Sequence, residues 1–394
     1  MAIFPNYIGP AAFGVKMGVI VPGFDLISDV VERVNQCNQD GLLDDGDVLC
    51  ITESVLARAQ DNFVTLDEIA AELTEKLHLQ PTSRVGVVFP ILSRNRFAMT
   101  LEAIAKAVPE GEVILQLSWP ADEVGNQIIS DQLAEALCKE IYDVIYEEEL
   151  NGHDLCHPIT QVDYARLYKS IIQAQGAKAT ILLANNPKEI GKYNCDGIIV
   201  ADIHTRHKTK SKVDTVCQNV ITLADLCNDP KAKSWSEWGL LGSNMSAAGK
   251  LKLAPRNSQQ FAEELQEKVI AQTGKYVEVI VYGDGAYKDP STGIYELADP
   301  EPVLAATAGF SGKLREGIKY KYFADIGYSQ GKSVDEIEAE LKQIKESGCV
   351  PDSEQTEGTT PRRLQDVIAS LADLVSGSAD AGTPLIIVKG FLNK

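Results

Sequence analysis

The chain has 394 residues, 44% of them hydrophobic and 24% charged, a composition that suits one large or two ordinary globular domains. Its formal net charge of −19, from 37 basic and 56 acidic residues, repels nucleic acid and anionic lipid and argues against either as a general partner. No stretch approaches the roughly 18 consecutive apolar residues of a membrane span. Met1 to Pro22 also lacks the basic start and unbroken apolar run of a signal peptide, so a cytoplasmic protein is expected.

The first strand signal is Asp47–Thr52 (DVLCIT), which runs into Thr52-Glu53-Ser54 and then Arg58. Polar groups at the end of a buried strand often line a site; a helix cap at Thr52 or Ser54 reads the same residues equally well. Thr65 and Glu68 form a capping box ahead of Leu66, Ile69, Leu73 and Leu77, whose spacing predicts a helix. Apolar runs of strand length follow at Arg84–Phe89, Glu112–Leu117, Thr180–Leu183 and Gly197–Val200. Two basic clusters stand among them, Ser93–Arg96 (SRNR) and Asp202–Lys210 (DIHTRHKTK). Such density in an acidic chain suits a clamp on phosphate or carboxylate, and equally a solvated loop answering the surrounding charge. His204 and His207 lack a third nearby ligand, too little for a metal site.

Further on, Phe261, Leu265 and Val269 repeat every four residues across Ser258–Gln272, and Gly274 stops that helix. The strand Val277–Tyr282 ends in Gly283-Asp284-Gly285. A carboxylate there, flanked by glycines, can approach a cation unhindered, while the same residues also suit a hairpin turn. Ser333 and Glu336 cap another helix, and polar Ser347–Thr360 reads as a flexible surface loop. The chain closes with a helix (Leu364–Leu374), a small-residue loop (Ser376–Pro384, SGSADAGTP) and a strand (Pro384–Lys389). Hydroxyls and amides of that loop suit phosphate oxygens; its helix-to-strand order excludes a Walker loop, and a plain connection is the alternative. The cysteines at 37, 50, 138, 156, 195, 217, 227 and 349 form no zinc or disulfide pattern, so buried residues in a reducing compartment are expected. Strands and helices mix without strict βαβ alternation, which predicts an α+β (mixed α/β) architecture rather than a pure doubly wound sheet.

Taken in order, several segments resemble the coenzyme F420-0:γ-glutamyl ligase family, in its long bacterial subgroup. Val19–Leu26 is similar to its N-terminal nucleotide loop. Gly46–Arg58 (GDVLCITESVLAR) resembles a segment in which a Ser/Thr pair and a lysine face the nucleotide, places held here by Glu53-Ser54 and Arg58. Gly239–Asn244 (GLLGSN) resembles a G-I-D-A-S-N segment. Thr273–Lys275 with Val277–Gly285 resembles a T-G-K strand that ends in T-D-T-N-G, and Ser370–Phe391 resembles the C-terminal nucleotide loop and closing strand. There are departures. The Asp of G-I-D-A-S-N, a metal ligand in the family, falls on Leu241; the Asp of T-D-T-N-G is displaced to Asp284; the Gln/Glu ligand of the last loop falls near Ser378, with Asp380 two residues on.

The resemblance implies an F420-0:γ-glutamyl ligase-like fold with a large inserted region. Residues 1–84 would form the N-terminal part of the core, 85–236 an inserted α/β region serving the acceptor, and 237–394 the C-terminal part with nucleotide and metal loops. It implies a GTP- or ATP-dependent ligase, with Mg²⁺ or Mn²⁺, that adds L-glutamate by a γ-linkage to an anionic acceptor such as coenzyme F420-0 through an acyl phosphate, as a homodimer. On this implication Asp284, Arg58 and Glu53 are catalytic. Val19, Ile20, Ser54, Asn244, Ser376, Gly377, Ser378 and Asp380 hold nucleotide, and Asp284 and Asp380 hold metal. Arg94, Arg96, His204, Arg206 and Lys208 grip the acceptor or the amino acid. Two rivals remain: a ligase acting on a folate or another acceptor, and a nucleotide-binding protein whose chemistry has lapsed, which the leucine at 241 motivates.

Overall fold

Runs of buried β-branched residues sort the chain into two separate sheets. The computed structural model describes residues 7–246, 249–315, 317–347, 353–356, 362–376 and 382–392. In chain order the strands of the first half are β1 (Ala11–Val15), β2 (Asp47–Thr52), β3 (Phe63–Thr65), β4 (Arg84–Val88), β5 (Glu112–Leu117), β6 (Ile145–Tyr146), β7 (Lys178–Leu183) and β8 (Gly197–Val200). Then come β9 (Val220–Thr222), β10 (Asn244–Met245), β11 (Lys250–Lys252), β12 (Val277–Tyr282), β13 (Tyr287–Lys288), β14 (Tyr295–Glu296), β15 (Val303–Ala306), β16 (Leu314–Arg315), β17 (Arg362–Arg363) and β18 (Leu385–Lys389).

The first sheet is mixed, five-stranded and ordered β1-β18-β2-β12-β15. At its centre β2 and β12 run parallel, with Asp47 opposite Val277 and Thr52 opposite Tyr282, so the two strands end side by side. Side chains alternate between its faces. Leu49 and Ile51 of β2 meet Val30 and Val34 of the Leu26–Gln39 helix and Leu265 and Val269 of the Ser258–Thr273 helix. Val48 and Cys50 face the other way, toward Ile368, Ala369 and Ala372 of the Leu364–Ser376 helix. Burial on both faces is why these strands read as unbroken apolar runs; each such side chain contributes roughly 1.5–3 kcal/mol.

The second sheet is six-stranded, ordered β6-β7-β5-β4-β8-β9, and all its strands except β6 are parallel. The chain moves outward from β4 to β5 and β7, then returns to place β8 beside β4. This is a doubly wound arrangement, with its topological switch point between β4 and β8. The Phe97–Ala107 and Tyr164–Ala174 helices pack on one face with the Leu66–Lys76 helix, through Leu73, Leu101, Ile104 and Tyr168. Ile190 and Val213, from the Pro187–Tyr193 turn and the Arg206–Val213 helix, cover the other. The mixed α/β architecture is therefore present, and strict alternation exists inside one part of it. The sequence hid that alternation because Arg206–Val213 (RHKTKSKV) buries only Thr209 and Val213 and carries no apolar stripe, while Pro187–Tyr193 is a 3₁₀ turn. The apolar cluster of this sheet runs from Val64 to Leu253, so the Leu66–Lys76 helix and the small β10-β11-β3 sheet pack with residues 85–236.

Both capping boxes form: Thr65 Oγ1 accepts the Glu68 amide at 3.2 Å and Ser333 Oγ accepts that of Glu336 at 3.3 Å. The expectation of buried cysteines needs correction. Cys37, Cys50 and Cys227 are buried, but Cys138 and Cys156 are exposed, because their segments are surface turns; the described cysteines are unpaired, and Cys349 lies outside the described residues. Within the stretch expected as a surface loop, Thr356 is buried and bridges to Ile318. Among the described residues no helix is long and apolar enough to cross a membrane.

Candidate functional site

The parallel register of β2 and β12 decides where a site forms. Glu53 follows the end of β2 and Gly283-Asp284 follows the end of β12, so both emerge at one edge of the central sheet. The Glu53–Ala59 helix then carries Arg58 over the same edge. The N-terminal segment is tied across to the C-terminal one by the Met17 amide, which donates to the Gly382 carbonyl at 3.0 Å. From the doubly wound part, the loop after β4 supplies Ser93, Asn95 and Arg96, and the Met245 amide closes on the Asn95 carbonyl at 2.6 Å. These segments enclose a cavity of about 810 Å³, whose wall also includes Asp299, Asp373, Ser376 and Thr383.

One guanidinium organises its acidic wall. Arg96 Nη1 lies 2.7 Å from Asp299 Oδ1 and Nη2 lies 2.8 Å from Asp284 Oδ2. Asp299 Oδ2 accepts the Asp284 amide at 2.9 Å, and Asp284 Oδ2 accepts the Ala298 amide at 3.0 Å. Gly283 permits this closeness, since a Cβ there would sit 2.3 Å from Asp299 Oδ2. Burial, and next the charge of Asp299, push the Asp284 carboxyl up to about 7 against the pull of Arg96. Burial also disfavours the charged guanidinium, yet the charges of Asp299 and Asp284 outweigh it and move its pKa upward. On the far side the Gly285 amide donates to Asp373 Oδ2 and the Ala286 amide to Ser370 Oγ, each at 3.0 Å, pinning the Asp284 loop to the Leu364–Ser376 helix. Burial raises the Asp373 carboxyl as well.

Glu53 is held differently. Both of its oxygens accept from Lys252 Nζ, at 2.8 and 2.7 Å, and the two side chains are only 7% and 2% exposed. Burial pushes the Glu53 carboxyl up while Lys252 opposes the shift. This pair fixes the turn between β2 and its helix, where Thr52, Ser54 and Arg58 face the cavity.

Of the residues singled out in the sequence, Val19, Ile20, Glu53, Ser54, Arg58, Arg96, Asn244, Asp284 and Ser376 line this one cavity. Arg94 is exposed and does not line it. His204, Arg206 and Lys208 stand at the start of the Arg206–Val213 helix, outside the lining. His204 Nε2 meets the Leu297 carbonyl at 3.1 Å, Arg206 Nη1 donates to the Ile203 carbonyl, and Lys208 is exposed. Gly377, Ser378 and Asp380 lie outside the described residues.

Sequence reasoning missed Lys252, Asp299 and Asp373, while Ser93 and Asn95 belong to the Ser93–Arg96 cluster that it marked. Lys252 left a signal, a charged residue between Leu251 and Leu253 in a short strand. Asp299 left none: it reaches the site because the chain returns antiparallel into β15, with the Gly283 amide on the Pro302 carbonyl at 3.0 Å.

Comparison with known proteins adds two findings. The family model described as F420-0:Gamma-glutamyl ligase matches residues 14–390, nearly the whole chain. No curated protein matches it.

Proposed function

The chain belongs to the F420-0:γ-glutamyl ligase family, and we propose that its cavity takes a nucleoside triphosphate and joins the amine of L-glutamate to an acceptor carboxylate. One observation carries this reading. The N-terminal loop, the ends of β2 and β12 and, near the C-terminus, Ser376 and Gly382-Thr383-Pro384, which the sequence resemblance assigned separately, border a single space of about 810 Å³. That volume suits a nucleotide-sized ligand, since pockets for such molecules span roughly 300–1,000 Å³.

Joining a carboxylate to an amine in water runs uphill, so the acceptor must be activated. Transfer of the terminal phosphoryl group to the acceptor carboxylate forms an acyl phosphate and releases the nucleoside diphosphate. The glutamate amine then attacks the acyl carbon, the bond to phosphate breaks, and the amine loses a proton as the amide forms. The protein's share is alignment and charge stabilisation. Arg58 lines the cavity, is exposed, and makes no ion pair among the described residues, which suits it to phosphate oxygens. Ser54, Asn244 and Ser376 offer hydrogen bonds, and Val19 and Ile20 offer backbone amides and apolar contact. Mg²⁺ or Mn²⁺ enters this reading with the nucleotide, as the counter-ion of its phosphates. Coenzyme F420-0 is the acceptor that the family supports; the Ser93–Arg96 loop brings the inserted region to the cavity where an anionic acceptor would enter.

The homodimer and the cytoplasm belong to the same proposal. Val19 and Met245 line the cavity yet are 87% and 48% exposed, apolar surface that a second copy would cover. The unpaired, exposed thiols of Cys138 and Cys156 suit a reducing compartment.

Phosphate release tests the reading. The purified protein is given GTP or ATP with Mg²⁺ or Mn²⁺, L-glutamate and F420-0, with each component omitted in turn. Release that requires nucleotide, glutamate and acceptor together supports the ligase. Nucleotide binding with no release under any combination favours the lapsed protein, and a requirement for a folate in place of F420-0 moves the acceptor.

A further inference from the structure

Family resemblance calls for a divalent cation held by protein carboxylates, and the donor set among the described residues does not fit one. Among the described residues no three His, Cys, Asp or Glu side chains converge on a possible metal position. The two carboxylates nearest to such a site are already engaged. Asp284 Oδ2 serves Arg96 and the Ala298 amide; Asp299 Oδ1 serves Arg96, and its Oδ2 serves the Asp284 amide. Mg²⁺ demands near-octahedral oxygen ligation, and of the four oxygens of Asp284 and Asp299 three already point at N–H groups.

A second observation comes from Leu241. The resemblance would put an acidic ligand there, yet Leu241 is 2% exposed and lines a small slot with Ile91, Phe97, Ile203 and Arg96 itself. A carboxylate in that apolar slot would be costly unless it drew Arg96 away from Asp284 and Asp299. The leucine and the arginine are thus two halves of one exchange: an acid is absent on one side of the guanidinium, and a fixed positive charge is present on the other.

Arg96 is also held in advance. Its loop leaves β4 at the switch point of the doubly wound sheet. The Leu92 amide donates to Asp122 Oδ2 at 2.7 Å, the Ser93 amide to the Tyr168 hydroxyl oxygen at 2.9 Å, and the Tyr168 hydroxyl to the Ile91 carbonyl at 2.7 Å. The Arg96 amide in turn donates to Ser93 Oγ at 3.2 Å. A planar fork fixed at its base places its two arms on two separate carboxylates, which a flexible ammonium does less well.

We propose that the Arg96 guanidinium takes the place of a protein-anchored divalent cation between Asp284 and Asp299, so that the protein holds no divalent ion of its own before nucleotide enters. This builds on the nucleotide reading above, but its test does not need nucleotide. Free Mn²⁺ is followed by electron paramagnetic resonance while nucleotide-free protein is added, for the wild type, Arg96→Gln and Arg96→Gln/Asp284→Asn. The wild type is expected to leave the Mn²⁺ signal unchanged at millimolar concentration. Arg96→Gln, which takes the guanidinium charge away from both carboxylates, is expected to take up one Mn²⁺ per chain, about tenfold or more tighter, and the double variant to lose that uptake. Tight Mn²⁺ binding by the wild type overturns the proposal, whether or not the variants fold. So does a folded Arg96→Gln, with a native circular dichroism spectrum, that takes up none. Binding of a fluorescent nucleotide with Mg²⁺ to the wild type is measured separately. Its failure would count against the ligase reading and leave the Mn²⁺ result standing.

Discussion

Arg96 and Asp299, 203 residues apart in the chain, meet at 2.7 Å in the wall of the cavity. Arg96 comes from the loop after the first strand of the doubly wound sheet, and Asp299 precedes the edge strand of the mixed sheet. The contact therefore joins two separately cored parts of the chain, and the cavity lies where they meet. Removing Asp299 leaves one arm of the buried guanidinium unsatisfied, with Asp284 as its remaining carboxylate, at a cost of about 1–3 kcal/mol. Asp299→Ala should lower the unfolding free energy by about that much in urea titration. A change below 1 kcal/mol, within the scatter of ordinary surface substitutions, would show that the pair contributes little.

Lys252 and Glu53 make a comparable prediction with an internal control. Lys252→Met strands the buried Glu53 carboxylate and should destabilise the protein by about 3 kcal/mol. Adding Glu53→Gln removes the stranded charge and should recover a large part of the loss. A double variant as unstable as the single one would mean that the lysine acts through packing of its stem rather than through its charge.

Arg58 bears on activity rather than on the fold, because it is exposed and makes no ion pair among the described residues. Arg58→Ala should leave the melting temperature without nucleotide unchanged while lowering kcat/KM about 100-fold. Nucleotide with Mg²⁺ should stabilise the wild type by about 2.7 kcal/mol at about 100 times its Kd, and the variant less at the same concentration. Equal stabilisation of both would take Arg58 out of nucleotide binding.

Asp284 gives a pH dependence whose sign is fixed. Its carboxyl titrates near 3.9 in an unfolded chain, roughly, and at about 7 in the fold. Between those values the folded protein keeps a proton that the unfolded chain has released. The group's contribution to stability is therefore fully present below the unfolded value and is lost as pH rises to about 7. Asp284→Asn imitates the protonated form at every pH. Its stability relative to the wild type should rise from about pH 5 to about pH 7 and level off above, a trend that urea titrations across this range would measure. A flat difference would show that the carboxyl titrates normally.

Much of the fold was legible one segment at a time. The strands Asp47–Thr52, Glu112–Leu117, Gly197–Val200 and Val277–Tyr282 have the bounds that their apolar runs predicted, and both capping boxes form. These features depend on neighbours within a few residues, so the sequence displays them directly. The Arg206–Val213 helix was not legible, because seven of its residues other than the buried Val213 are RHKTKSK and its place is set by what the sheet needs to cover.

The sequence alone determined the family resemblance, the central strands, and the small set of residues around Glu53, Asp284 and Ser376 that could share a site. Only the tertiary structure decided that Arg96 belongs with them while Arg94, His204, Arg206 and Lys208 do not line the cavity, that Asp299 completes the wall, and that Lys252 holds Glu53 from behind it. The physical reason is range. Periodicity and capping act over a turn or two of chain, whereas an ion pair between residues 96 and 299 depends on the parallel register of β2 and β12 and on where the loop after β4 leaves a second sheet.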